Sequence, residues 1–438
     1  MNRKIKFIVY SVAVLAAVAC SGRKEASGDY DLRFNSEGKF RIMQLTDVHL
    51  NYAEKEEYDK AKNQMVTLVE REKPDLLIFT GDVVTGVPAE PAWKDFLGPL
   101  DEKGIPFIIC YGNHDREREL TEYELAEVIT AHSANINETD GNGCLADMAV
   151  KVRSHDGKSV KAVLYCVDSF DYHSARGFSG YGWFATDQVE WHRAMSNRFA
   201  EGNGGIPIPS YAFFHIPLPE YATAVEKGFM LPSGQKGEKE CIGVLNSGMY
   251  TSYVECADVH GVFVGHDHVN DYIAPYGDIA LTYGRFSGYD TTYGSRDPHG
   301  LRIIELSEGD YGFHTWVSLL DGGVMGDETF EVETDYTMHP AVGSGITLGK
   351  DEKLLNVPQN GLWVLRKTRG RGYEVAIDDI VICPVGNREC GYIALQKGIH
   401  KLRVTPVAED AASEPFHLAW RRAGSGKMHE IPEDAYVK

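Results

Sequence analysis

The sequence predicts an α/β domain built on a largely parallel sheet, followed by a small all-β sandwich. Three observations predict it. Five continuous apolar runs rich in β-branched and aromatic residues each end in a polar cluster, as strands buried on both faces do. Between the first three runs lie stretches with an apolar face at helical spacing. Beyond about residue 345 the runs become short, turns recur at hairpin spacing, and no long helical pattern is present. A chain of 438 residues has room for two or three domains with their own cores.

The N-terminus reads as an export signal. Asn2-Arg3-Lys4-Ile5-Lys6 supplies a basic start, and Phe7 to Ala19 is an apolar run too short to span a bilayer comfortably. It ends in Ala17-Val18-Ala19-Cys20-Ser21, which resembles a bacterial lipoprotein signal cleaved before a lipidated Cys20. Residues 21–37 read as a tether. The expected location is therefore the bacterial cell envelope, as a lipid-anchored outer-membrane or periplasmic lipoprotein that meets the membrane through its anchor alone.

The α/β domain is expected over 38–320. Its strands are Arg41–Leu45, Asp75–Thr80, Pro106–Cys110, Tyr211–Phe214 and Val259–Val264, with helices over 54–72, 89–102 and 119–131. In the first helix Tyr58, Ala61, Met65, Leu68 and Val69 share one face. Strand–helix–strand repetition implies right-handed crossovers and puts the polar clusters at the carboxyl ends of neighbouring strands, where such sheets carry their sites. Residues 321–345 are the expected connector, and 346–438 the β-sandwich, with Asp378-Asp379 as a turn and Cys383 and Cys390 placed to pair. Cys110, Cys166 and Cys256 sit in or beside apolar runs and read as core residues.

Composition narrows the function. There are 44 Lys plus Arg against 64 Asp plus Glu, a formal charge of -20. That balance argues against general nucleic-acid binding, which needs a basic face. A small anionic substrate stays open, because bound metal ions reverse a local field. Eight cysteines do not make a disulfide scaffold, and 43% hydrophobic with 25% charged residues is ordinary globular composition.

The clusters carry the chemistry. Asp47, His49, Asp82, Asn113, His215, His266 and His268 are all nitrogen or oxygen donors, too many for one ion and suited to two. Asp82 follows Gly81 and Asn113 follows Gly112, so each donor sits on a turn that permits close backbone approach. His266 and His268 are two apart and face the same way in an extended segment. Carboxylate, carboxamide and imidazole together suit Fe, Mn, Zn or Co.

The order Asp47-x-His49, Gly81-Asp82, Gly112-Asn113-His114-Asp115, His215, Gly265-His266-x-His268 resembles the calcineurin-like metallophosphoesterase superfamily over about 38–320. The resemblance implies a four-layer αββα sandwich of two mixed sheets between helices. It implies one metal held by Asp47, His49, Asp82 and His268, and a second by Asp82, Asn113, His215 and His266. Phe214–Tyr221, Tyr181–Phe184 and Gly265–Asn270 further resemble the non-purple relatives of purple acid phosphatases. Thr85 stands where the purple enzymes carry a tyrosine ligand, so no tyrosinate-to-iron absorption band is expected. The C-terminal region resembles a protective-antigen-type β-sandwich module, which implies a carbohydrate or adhesive partner.

The implied reaction is hydrolysis of a phosphate ester at two transition-metal ions. His114 is the expected proton donor to the leaving group, with Asp115 or a more distant carboxylate orienting its ring. Arg285 is the candidate for clamping a phosphate oxygen, a loop salt bridge being the alternative. Monoester and diester substrates both remain open. The competing reading, an envelope carbohydrate-binding lipoprotein on an inactive scaffold, predicts lost ligands, and none is missing.

Overall fold

The computed structural model describes residues 30–289, 297–332, 336–343, 345–386, 389–407 and 415–437. The export signal, Cys20 and residues 21–29 lie outside the described residues, whereas Leu32 and Phe34, in the last part of the expected tether, are buried in the core between the sheets because their backbone pairs with Arg153.

Strands β1 (Lys39–Leu45), β2 (Leu76–Thr80) and β3 (Phe107–Cys110) run parallel, connected by α1 (Lys55–Glu72) and α2 (Ala89–Lys103). Helix α3 (Glu122–Thr130) follows, opened by a capping box in which Thr121 and Glu124 satisfy each other's backbone amides. The chain continues through β4 (Met148–Arg153), β5 (Val160–Cys166), a hairpin of β6 (Tyr172–Ala175) and β7 (Phe178–Tyr181), α4 (Thr186–Gly202), β8 (Ser210–Phe213), α5 (Pro219–Glu226) and α6 (Met249–Cys256). Next come β9 (Val259–Val264), β10 (Ile273–Tyr276), β11 (Ile279–Tyr283), β12 (Gly300–Ser307), β13 (Phe313–Leu319) and β14 (Val324–Phe330).

Two six-stranded sheets result, ordered β14-β13-β12-β1-β2-β3 and β10-β11-β9-β8-β5-β4. The period of two along a strand builds the layers. In β1, Ile42 joins Ile78, Ile108, Phe213 and Phe263 between the sheets. Its neighbour Met43 faces outward and packs with Tyr58, Met65 and Trp93 of α1 and α2. On the far side Tyr165, Trp191, Tyr221 and Tyr253 bury the second sheet under α4, α5 and α6. The fold is the expected four-layer αββα sandwich.

Two further expectations change. The sheets are mixed, as the family resemblance implies, and not largely parallel as the strand–helix repeat alone suggests, because β12–β14 form a meander on the edge of β1 and have no helix between them to carry a parallel crossover. The segment expected to be connector also contributes β14, which pairs with β13 as an edge strand; its side chains are mostly half-exposed, so no apolar run marks it.

Beyond it, β15 (Glu352–Val357), β16 (Gly361–Arg369), β17 (Tyr373–Ile377), β18 (Ile380–Cys383), β19 (Glu389–Leu395), β20 (Gly398–Pro406), β21 (His417–Arg422), β22 (His429–Glu430) and β23 (Tyr436–Val437) form a second core of sheets. Their orders are β18-β17-β20-β15-β23 and β19-β16-β21-β22, closed on Leu355, Trp363, Val375, Leu402 and Trp420. Asp378 and Asp379, both at positive φ, make the β17–β18 turn, and the Asp378 carboxylate accepts from the Lys401 amide at 2.8 Å and pairs with His400. Cys383 is disulfide-bonded, and the side chain of its expected partner Cys390 lies outside the described ones. Cys110, Cys166 and Cys256 are buried free thiols, as expected. The two units meet where Leu362, Ala394 and Ala423 pack on Ala257.

Candidate metal centre

Every expected metal donor leaves the carboxyl end of a buried strand. Asp47 and His49 follow β1, Asp82 follows β2, Asn113 follows β3, His215 follows β8, and His266 and His268 follow β9. Asp47, His49, Asp82 and His266 all adopt positive φ, a conformation non-glycine residues hold only when their surroundings fix it. Glycines make the turns close. A Cβ on Gly112 would lie 2.1 Å from Asp82 Oδ1, one on Gly81 2.4 Å from His215 Nδ1, and one on Gly265 1.8 Å from Thr46 Oγ1.

The donors converge in two groups that share Asp82. Asp47, His49, Asp82 and His268 offer ligand atoms within 4.8 Å of one another, and so do Asp82, His215 and His266. His49 Nε2 and His268 Nε2 are 3.0 Å apart, and His268 Nε2 is 3.4 Å from Asp47 Oδ1. In the second group His215 Nε2 is 3.1 Å from Asn113 Oδ1 and 3.2 Å from His266 Nδ1, so Asn113 belongs to it. Asp82 Oδ2 lies 3.6 Å from His49 Nε2 and 3.3 Å from His215 Nε2, one imidazole from each group. That oxygen is buried and accepts no hydrogen bond among the described residues. A buried carboxylate oxygen that accepts no hydrogen bond and faces imidazole nitrogens of both sets suits a ligand shared by two ions.

The surroundings fix these donors. Thr80 O accepts from His215 Nδ1 at 2.8 Å, which leaves the Nε2 lone pair for an ion. Thr46 Oγ1 donates to Asp47 Oδ2 at 2.6 Å, and the His266 amide donates to the same carboxylate. Charge is arranged likewise. Burial pushes His49 down to about 4 and His266 down to about 3, so both imidazoles are neutral donors near neutral pH. Burial also opposes charge on His215, but the Asp82 carboxylate overcomes it and raises His215 to about 10. Without metal, a proton on His215 thus takes the place of positive charge that an ion would supply. Burial works against ionisation of Asp47 too, yet His268 and His215 hold its carboxyl down to about 2.

His114 stands outside both groups, its ring 5.7 Å from that of His49. The carboxylate that orients it is Glu117, 2.7 Å from His114 Nδ1, and not Asp115. Asp115 is buried and accepts four backbone amides: Asp82 and Gly112 on Oδ2 at 2.9 and 2.8 Å, Val83 and Val84 on Oδ1 at 2.8 and 3.2 Å. It ties the loops after β2 and β3 together. Burial and the Asp82 charge push its carboxyl up to about 6, against the pull of those amides.

Arg285 is likewise corrected. It is 1% exposed, and its guanidinium is spent on the buried Asp271 carboxylate and the Pro298 carbonyl, so it is a structural ion pair and not a phosphate clamp. The site also holds residues to which the sequence assigned no role. Tyr172 Oη accepts from Asn113 Nδ2 at 3.1 Å, the Tyr181 ring meets His266 edge-on at 4.3 Å, and Phe286 stacks on His268 at 5.0 Å.

A profile of the calcineurin-like phosphoesterases matches residues 40–270. The chain belongs to that family. It is 31% identical to a protein of Arabidopsis thaliana named probable inactive purple acid phosphatase 29, over 65% of this chain and 81% of that one. It is 29% identical to Phosphatase DCR2 of Saccharomyces cerevisiae, over 72% of this chain and 60% of that one. A dimetal phosphatase structure from Danio rerio aligns over 67% of this chain and 99% of that one, at 13% identity and a TM-score of 0.44.

Proposed function

We propose that this phosphoesterase-family protein is an active two-metal hydrolase of phosphoric esters. The observation that carries the reading is the buried Asp82 Oδ2, which accepts no hydrogen bond among the described residues and lies between the two donor groups. The word "inactive" in a relative's name predicts missing donors, whereas all seven are present and converge here. The donor set fits Fe, Mn, Zn or Co.

Two such ions, held by Asp47, His49, Asp82 and His268 and by Asp82, Asn113, His215 and His266, would supply positive charge for the phosphate oxygens and acidify a water nucleophile. The chain's own residues do the rest. Asp82 sits between the two groups, and the Thr80 carbonyl keeps His215 in the tautomer that leaves Nε2 open. Glu117 takes the Nδ1 proton of His114 in a hydrogen bond, so Nε2 is the atom that hands a proton to the leaving oxygen. Positioned proton transfer of this kind contributes about 10²–10⁴-fold.

The test is hydrolysis by the chelated protein reloaded with each metal, comparing p-nitrophenyl phosphate with its bis ester. Metal-dependent turnover that collapses in Asp82→Asn is the expected result, and the better substrate decides between monoester and diester. His114→Ala should slow alkyl esters far more than p-nitrophenyl esters, because p-nitrophenolate leaves without a proton. A wild-type protein that binds no metal overturns the reading. The envelope location rests on Cys20 and the apolar run before it, and a shift of Cys20→Ser from the membrane to the soluble fraction tests it.

A further inference from the structure

We propose that the β6–β7 hairpin makes this site selective for esters carrying a flat aromatic arm, with Tyr172 as the stacking residue. This rests on the phosphoesterase reading and names the substrate class that the site would take.

The hairpin reaches the second donor group at two points. Tyr172 Oη accepts from the Asn113 amide at 3.1 Å, which turns Asn113 Oδ1 toward His215 and away from the hairpin. Tyr181 rests its ring against His266, with the planes at 86°. The two tyrosines stack on each other, centroids 5.6 Å apart and planes within 28°. An ester bound at the group formed by Asp82, Asn113, His215 and His266 would therefore lie beside a tyrosine pair. Tyr172 is 48% exposed, and Phe178 at the far end of the hairpin is 51% exposed. The opposite aromatic contact, Phe286 on His268, is 2% exposed and closed to a substrate.

Charge points the same way. Arg116, directly after the Gly112–Asp115 motif, is paired with Asp168 and Glu122, and Arg285 with Asp271, so both of these arginines are spent on carboxylates. What the hairpin offers the ester arm is an exposed aromatic face, and tyrosine faces bind flat rings by offset stacking and apolar contact.

The experiment uses metal-loaded full-length protein and two non-hydrolysable probes, phenylphosphonate and methylphosphonate, with affinities by calorimetry and bound metal counted in parallel. Wild type should bind phenylphosphonate about tenfold more tightly than methylphosphonate. Tyr172→Leu should bring the ratio close to one. Tyr172→Phe, which keeps the ring and loses the hydroxyl, should keep the ratio while weakening metal retention in the second group. A ratio near one in wild type, or an unchanged ratio in Tyr172→Leu, overturns the inference and leaves the phosphoesterase reading standing. Failure of metal-loaded wild type to bind either phosphonate overturns both.

Discussion

Replacing Asp115 by asparagine separates a structural role from a catalytic one. The two side chains have the same shape, so packing is preserved. The change converts one acceptor oxygen into an NH₂ group, and each oxygen accepts two backbone amides. Rotating the amide by half a turn does not help, since the other oxygen is equally engaged. Two hydrogen bonds to a charged acceptor, at about 1.5–3 kcal/mol each, are lost, and donor is set against donor in a site only 4% exposed. The expected loss is about 3–6 kcal/mol, among the largest effects of single substitutions and comparable to the roughly 5–15 kcal/mol stability of a whole domain. Because two of the four amides belong to Asp82 and Gly112, metal retention should fall with it. Urea unfolding of the metal-free variant, with bound metal measured separately on the loaded protein, reads both. A loss below about 1 kcal/mol with both ions retained and only turnover lowered would refute the structural argument and return Asp115 to the role of orienting His114.

Two further perturbations test the centre itself. His215 is raised to about 10 by Asp82, so its charged form prevails at pH 8 and ion binding must expel that proton, whereas His49 and His266, near 4 and 3, have none to give. Metal titration at pH 8 in two buffers of different ionisation enthalpy should show proton release that falls in His215→Gln, and the same heat in both buffers would contradict it. The same raised value means the metal-free fold keeps the His215–Asp82 stabilisation below about 6.5 and loses it as pH climbs through about 10. Gly265→Ala places a methyl 1.8 Å from Thr46 Oγ1 and 2.5 Å from Asp47 Oδ2, so the Thr46–Asp47 hydrogen bond must break. Metal affinity should drop about 10–100-fold, as for other losses of groups that hold ligands in place, and full occupancy at stoichiometric metal would rule that out.

What was legible in the sequence shares one cause. A metal donor on a strand end leaves a local signature, a buried apolar run that stops at a polar residue beside a glycine, and Asp82, Asn113 and His266 all carry it. The features that escaped have partners distant in the chain or partners without side chains. Arg285 follows a strand and looks like an anion clamp until β10 and β11 pair and bring Asp271 against it. Asp115 neighbours His114 in sequence, but its true partners are backbone amides, which any residue supplies and no motif records. β14 is an edge strand with half-exposed side chains, so it lacks the apolar run by which the central strands announce themselves. The β6–β7 hairpin is exposed for the same reason, and this links legibility to function. Residues that would hold the ions are buried and therefore leave a pattern, whereas residues that would meet the ester arm stay accessible and lie outside it. The reaction class can accordingly be read from strand ends alone, while substrate choice depends on exposed groups such as Tyr172 that become visible once the chain has folded around Asn113.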